Sequence, residues 1–249
     1  MVNLTKYPVF ETMIRERGWE ELNNMVQDSN NKSVIMEFYA NARYSETKYQ
    51  AYIRGKTIDY SPDAINHLLG LTPPEECEVK KLTREVKDML QSEWAELIAK
   101  LCRPGATWKS AKMLTYADFL PVPKAWASFV IQTLESTSCT SEIPLKRVFT
   151  VSAILDHKPV NVGELIANNI HMIATGKKTV LGHGSIINWL CEKELVQPFE
   201  GDLYTPTVKP ITDKTMDVFV KKYEDFLRAR GEGHVITCKI QQYFSSFCV

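Results

Sequence analysis

Apolar residues recur along most of this chain at intervals of three and four, the spacing of a helix with one buried face. Phe10, Met13, Ile14, Leu22 and Val26 open the series around Gly18-Trp19 and predict one or two short helices. Asp28 to Ser33 is polar and predicts a loop, and Val34 to Ala42 predicts a short apolar helix or strand. Between Lys48 and Tyr60 the period changes to two. Tyr and Ile alternate with polar residues on both sides of Arg54-Gly55-Lys56, which predicts a β-hairpin, the one sheet this pattern reveals.

Ser61-Pro62-Asp63 marks a helix start. The Ser hydroxyl can accept a free backbone N–H, Pro fits the first turn, and Asp complements the positive end of the helix dipole. Ala64, Ile65, Leu68 and Leu69 supply the buried face, and Gly70 can end the helix in a left-handed conformation. Pro73-Pro74 with Glu75, Glu76 and Glu78 reads as an acidic surface loop. Val86, Met89, Leu90, Trp94, Leu97, Ile98 and Leu101 predict one helix from Thr83 to Cys102, stopped by Pro104-Gly105. Further helices are predicted over Lys124 to Leu134, Pro144 to Leu155, Asn161 to Gly176 and Ser185 to Leu195. In the third of these, Asn161 and Glu164 stand as in a capping box.

Pro198, Pro206 and Pro210 make 198–210 a linker. Met216, Phe219, Val220, Tyr223, Phe226 and Leu227 then line one face of an amphipathic helix over about 213–230, which either packs back on the domain or meets a partner helix. The expected fold is mainly α: a multi-helix globular domain over 1–200 with one small β-hairpin near 48–60. A linker, an amphipathic helix and a short tail occupy 201–249.

Composition narrows the class. The 249 residues are 44% hydrophobic and 24% charged, enough apolar material for a real core. Lys plus Arg equals Asp plus Glu at 30 each, so any attraction to nucleic acid or anionic lipid must come from a local patch. No apolar run is long enough to cross a bilayer, and Met1 to Phe10 has no signal-peptide core. Cys77, Cys102, Cys139, Cys191, Cys238 and Cys248 fall in no CxxC spacing and read as reduced thiols. The expected location is intracellular, cytoplasmic or nuclear, away from membranes.

Candidate chemistry is sparse. Gly182-His183-Gly184 and Gly231-Glu232-Gly233 begin like a dinucleotide loop, but the sixth positions are Ile187 and Ile236 and no clear strand precedes either. A turn is the simpler reading. No P-loop, GxSxG elbow, HExxH or Cys/His zinc spacing occurs, and His67, His157, His171, His183 and His234 each stand alone. Glu20-Glu21 and Glu75-Glu76 are adjacent, whereas glycosidase chemistry needs two carboxyls converging across a cleft. No catalytic, cofactor-binding or metal-binding residue is assigned. Lys80, Lys81, Arg84, Lys87, Lys100, Arg103, Lys109 and Lys112 outnumber the acids of the same stretch and are the candidate nucleic-acid contacts. A mixed-charge helix face is their structural reading. Trp19, Trp94, Trp108, Trp126 and Trp189 read as core anchors.

An ordered set of short motifs runs through the chain: Arg17-Gly18-Trp19; Glu37-Phe38-Tyr39-Ala40-Asn41; Arg54-Gly55-Lys56; and Ile65-Asn66-His67-Leu68-Leu69-Gly70-Leu71. Then follow Leu101-Cys102-Arg103-Pro104-Gly105-Ala106-Thr107-Trp108, Lys124-Ala125-Trp126, Thr137-Ser138, Asn161-Val162-Gly163 and Ile187 to Cys191. This order resembles the plant transposon protein domain, a family found in many plant transposon- and retrotransposon-related proteins. The resemblance covers about residues 10–200. It implies mobile-element origin and supplies no catalytic or ligand residues. At position 139 this chain has Cys where family members often carry His after the Thr-Ser pair, so no role transfers there.

The function expected first is a non-catalytic protein-interaction or self-assembly domain of plant mobile-element origin, whose partner is another protein or a second copy. The alternative is a nucleic-acid-binding module of a transposon or retrotransposon protein. An enzyme without a recognisable signature is the third reading.

Overall fold

The computed structural model describes residues 6–25, 29–44, 48–137, 141–176, 181–207 and 210–232. The expected tail beyond Glu232, with His234, Cys238 and Cys248, lies outside the described residues, as does Cys139. Helices α1 (Pro8–Glu16) and α2 (Glu20–Asn23) are followed by strand β1 (Asn30–Asn31), helix α3 (Lys32–Tyr44) and the hairpin β2 (Gln50–Ile53) and β3 (Lys56–Asp59). Then come α4 (Pro62–Leu68), α5 (Glu78–Glu85), α6 (Gln91–Leu101), β4 (Met113–Thr115) and α7 (Pro121–Phe129). The described chain closes with β5 (Glu142–Pro144), α8 (Leu145–Leu155), α9 (Val162–Thr175), α10 (Gly184–Lys193), β6 (Tyr204–Thr205) and α11 (Asp213–Ala229). The fold is mainly helical, as its periodicity predicts.

The hairpin forms where expected, with Ala51 opposite Ile58 and Ile53 opposite Lys56. It is not the only sheet. Asn30–Asn31 pair with Tyr204–Thr205, and Met113–Thr115 pair with Glu142–Pro144, both antiparallel. These strands are two or three residues long and their partners lie far away in sequence, so no alternation could reveal them. Part of the loop expected at 28–33 is therefore strand and helix. The Asn31 side-chain carbonyl accepts the Val34 N–H at 3.0 Å and starts α3.

The single helix expected over Thr83 to Cys102 is two. α5 ends at Glu85, and α6 begins at Gln91 with the Glu93 carboxylate accepting the Leu90 N–H at 2.6 Å. That cap stops the chain from continuing through Leu90, which is 66% exposed and does not join the apolar face. The helix expected from Lys124 starts earlier, at Pro121, and widens into a π-helical turn over Val130–Leu134.

Most of the recurrent motifs have structural jobs. Ser61 Oγ accepts the Ala64 N–H at 3.2 Å, and α4 ends with Gly70 at φ +66° and the Leu71 N–H bonded to the Asn66 carbonyl at 2.8 Å. Asn66 is buried. Its amide donates to Asn161 Oδ1 at 3.0 Å, and its carbonyl oxygen accepts the Gly163 N–H at 2.9 Å. Asn161 in turn caps α9 through the Glu164 N–H at 3.0 Å. The Glu164 carboxylate meets Lys80 Nζ at 2.5 Å, across to α5. A Cβ at Gly163 would lie 2.3 Å from the Pro62 carbonyl oxygen, so the close crossing of α4 and α9 requires glycine.

Arg17 donates to the carbonyls of Ala153, Ile154 and Lys158 and closes the C-terminus of α8. Trp19 stacks on Phe129 at 5.8 Å between centroids and meets Trp126 edge-on at 6.1 Å. Trp126, Phe10 and Phe129 form the aromatic centre of one continuous core. Trp19, Trp94 and Trp126 are buried, and Trp108 and Trp189 are half-buried against the core. Glu37 accepts the Arg54 N–H at 3.0 Å, and Asn41 donates to the Tyr52 carbonyl, so α3 holds the turn end of the hairpin.

Candidate functional site

Arg54 begins as a turn residue. Arg54 and Gly55 both have positive φ, +45° and +83°, as a two-residue hairpin turn demands. The arginine side chain then folds back over the protein. Its Nη1 lies 2.8 Å from Asp202 Oδ2 and its Nη2 2.6 Å from Oδ1, a bidentate pair. Nη1 also donates to the Gln197 carbonyl at 2.8 Å, and the guanidinium covers the Phe199 ring at 4.0 Å. Asp202 accepts two more bonds, from Asn31 Nδ2 at 2.6 Å and from the Phe199 N–H at 2.9 Å. Both charged side chains are only 6% exposed. The hydrogen bond from Arg54, helped by the one from Asn31, holds the Asp202 carboxyl far below its ordinary range, and the same bond raises the Arg54 guanidinium.

This buried pair fastens the segment after α10 onto the hairpin and α3. The Lys32 N–H reaches the Leu203 carbonyl at 2.7 Å, and the Leu203 N–H reaches Ser33 Oγ at 2.9 Å. Around the fastening, large apolar side chains point outward: Met36, one turn beyond Ser33, is 50% exposed, and Phe199, Leu203 and Tyr204 are 56–61% exposed. The expected linker is thus in part a docked strand carrying exposed aromatics. Sequence reasoning missed Asp202 because nothing local to it signals a partner 148 residues away.

Four of the eight basic residues face carboxylates and one lies over a ring. Lys80 pairs with Glu164 and Arg84 with Glu76, the latter at 2.8 Å. Lys100 binds the Asp156 carboxylate and Ser152 Oγ at the end of α8. Arg103 takes Asp118 through Nε and Nη2, at 3.0 and 2.7 Å. The Lys112 ammonium sits 3.6 Å from the Trp94 ring centroid, while Lys87 and Lys109 are exposed and Lys81 is half-buried. Lys80 and Arg84 border one hollow with Lys146, and Arg103 borders another with α11.

The apolar face of α11 is turned onto the chain's own α7. Met216 and Leu227 are buried, Phe219 and Val220 pack against the core, and Tyr223 and Phe226 are half-buried with their rings stacked 6.2 Å apart. The Tyr7 hydroxyl donates to Asp217 at 2.7 Å and the Lys6 N–H to Asp213 at 3.2 Å, tying the N-terminal segment to the same helix. Of the two placements open for this helix, the described structure has the intramolecular one. Between α11 and the start of α7 it leaves a cavity of about 250 Å³ lined by Arg103, Tyr116, Ala117, Phe119, Lys124, Phe219, Lys222, Tyr223 and Phe226.

No group of three His, Cys, Asp or Glu side chains among the described residues is arranged to hold a metal ion. His183 is buried at the start of α10, with Nε2 2.8 Å from Asn169 Oδ1, and burial pushes its pKa down to about 3. Cys77, Cys102 and Cys191 are buried free thiols, and burial raises Cys102 and Cys191 to about 12, the opposite of a reactive thiolate. No described helix is long and apolar enough to cross a membrane.

A family described as "Putative plant retrotransposon-related domain" matches residues 15–197. The match covers well over half of the chain, and the protein belongs to that family. No curated protein and no solved structure matches it.

Proposed function

We propose that this member of the plant retrotransposon-related family is a non-catalytic protein-interaction domain, binding another protein or a second copy through the apolar surface around Met36, Phe199, Leu203 and Tyr204. The observation that carries the reading is the contrast within that surface. Beneath it Arg54 and Asp202 are joined by two hydrogen bonds, while the side chains above remain open to solvent. Exposed apolar groups on a rigid support are what a partner can cover without first ordering the surface. The motif residues favour a scaffold role: Arg17, Glu37, Asn66 and Gly163 are engaged in caps and helix crossings.

The test is the double variant Met36→Ser, Leu203→Ser, which leaves Arg54, Asp202 and Phe199 in place. Light scattering over a wide concentration range reads self-association, and affinity capture from plant extract reads other partners. A mass that rises with concentration, or a captured protein, should be lost in the variant. A wild type that stays monomeric and captures the same proteins as the variant would refute the reading.

A further inference from the structure

The cavity between α7 and α11 has a composition that the apolar surface at 199–204 does not share. Three of its nine lining residues are cations, Arg103, Lys124 and Lys222, and five are aromatic, Tyr116, Phe119, Phe219, Tyr223 and Phe226. No carboxylate lines it. Asp118, next to the lining residue Ala117, is held by two bonds from Arg103. Lys124 is 6% exposed, and its ammonium makes one hydrogen bond among the described residues, to the Ala117 carbonyl at 3.0 Å. An ammonium has three N–H groups and burial is costly when they lack acceptors. Burial first, then the charges of Lys222 and Arg103, lower its pKa to about 8. Helix α11 therefore forms one wall of a cavity into which three cations face and no carboxylate does.

We propose that this cavity binds a small phosphorylated aromatic ligand, of which a nucleoside monophosphate is the simplest form. The phosphate would lie among Lys124, Lys222 and Arg103, where point charges and a guanidinium meet its oxygens. The base would stack on the rings contributed by α11, a contact open to any base because every base has a π-face. The same chemistry is presented by a free nucleotide and by the 5′-phosphorylated end of a strand.

The test is calorimetric titration of the full chain at low salt with AMP, adenosine, inorganic phosphate and a short 5′-phosphorylated oligonucleotide. AMP should bind, with adenosine and phosphate each at least about tenfold weaker, since each lacks half of the recognised groups. Lys222→Glu, on an exposed helix position, should weaken AMP at least about tenfold without altering the far-ultraviolet spectrum. Lys124→Met should do the same if it folds, and Lys222→Glu decides if it does not. An oligonucleotide tighter than AMP identifies a strand end as the ligand, and one equal or weaker identifies the free nucleotide. No AMP binding, phosphate as tight as AMP, or an AMP affinity unchanged in Lys222→Glu would overturn the proposal.

Discussion

His183 gives the protein a titration that its fold must resist. The ring is buried, the His183 backbone N–H donates to Ser136 Oγ at 2.8 Å, and with Asn169 Oδ1 2.8 Å from Nε2 the neutral ring carries its proton there. Burial brings its pKa to about 3, whereas an unfolded histidine titrates near about 6.5. Below pH 6.5 the unfolded chain therefore binds a proton that the folded chain refuses. Stability is greatest above that pH and declines as pH falls, until the folded-state value is reached. At about 1.4 kcal/mol per pH unit the loss approaches about 2 kcal/mol by pH 5 and about 5 kcal/mol in full, an upper bound because a strained interior relaxes. Denaturant unfolding at several pH values between 8 and 5 measures the slope. His183→Asn is the control, since asparagine tolerates the left-handed backbone at this position, φ +52°. The variant should start less stable, with Asn169 deprived of its partner, but its stability should fall less with pH. His171, also lowered by burial, is present in both proteins and cancels in the comparison. Equal slopes for the two proteins would refute the argument.

Gly163→Ala should destabilise by about 1–3 kcal/mol or more, read as a lower thermal midpoint, because the new methyl meets the Pro62 carbonyl oxygen and the buried Asn66 side chain, which its hydrogen bonds to Asn161 and Gly163 hold in place. Asp202→Asn should leave the buried Arg54 with only the longer contact to Glu37 at 3.5 Å as counter-charge, and amide exchange at Lys32, Phe199 and Leu203 should quicken relative to the rest of the chain. Double-stranded DNA should bind weakly even at about 50 mM salt and with little further loss at about 200 mM. Four of the eight basic residues between Lys80 and Lys112 already face carboxylates. Tight binding that collapses across that range would restore the nucleic-acid reading.

The sequence made helices legible wherever one face was apolar and an end was chemically marked. Ser61, Gly70 and Asn161 act as their side chains and backbone freedom predict, and α11 spans Asp213 to Ala229 against an expected 213–230. The break after Glu85 was hidden because Val86 and Met89 stay half-buried and so preserve the helical period across a gap in the helix. Strands β1, β4, β5 and β6 were too short to carry a period of their own. The candidate surfaces were legible only as single residues. Arg103, Phe219, Tyr223 and Phe226 were visible as a base and as one helix face, but Lys124 read as part of a core helix. Its meeting with Lys222 depends on how α11 lies on α7, which neither segment encodes alone.

Both candidate surfaces straddle the end of the family match at residue 197. Arg54 and Met36 lie inside it, while Asp202, Phe199 and Leu203 lie outside. Arg103, Tyr116 and Lys124 lie inside, while Lys222, Tyr223 and Phe226 lie outside. The matched residues alone would leave the Arg54 guanidinium without Asp202 and Lys124 without the covering side chains of α11, so each surface is complete only when the later segment is folded back on the domain. Substitutions in 198–229 can then change what either surface accepts while the caps and crossings at Arg17, Asn66 and Gly163 stay intact. Each surface is thus completed by side chains that lie outside the stretch holding the caps and crossings of the scaffold.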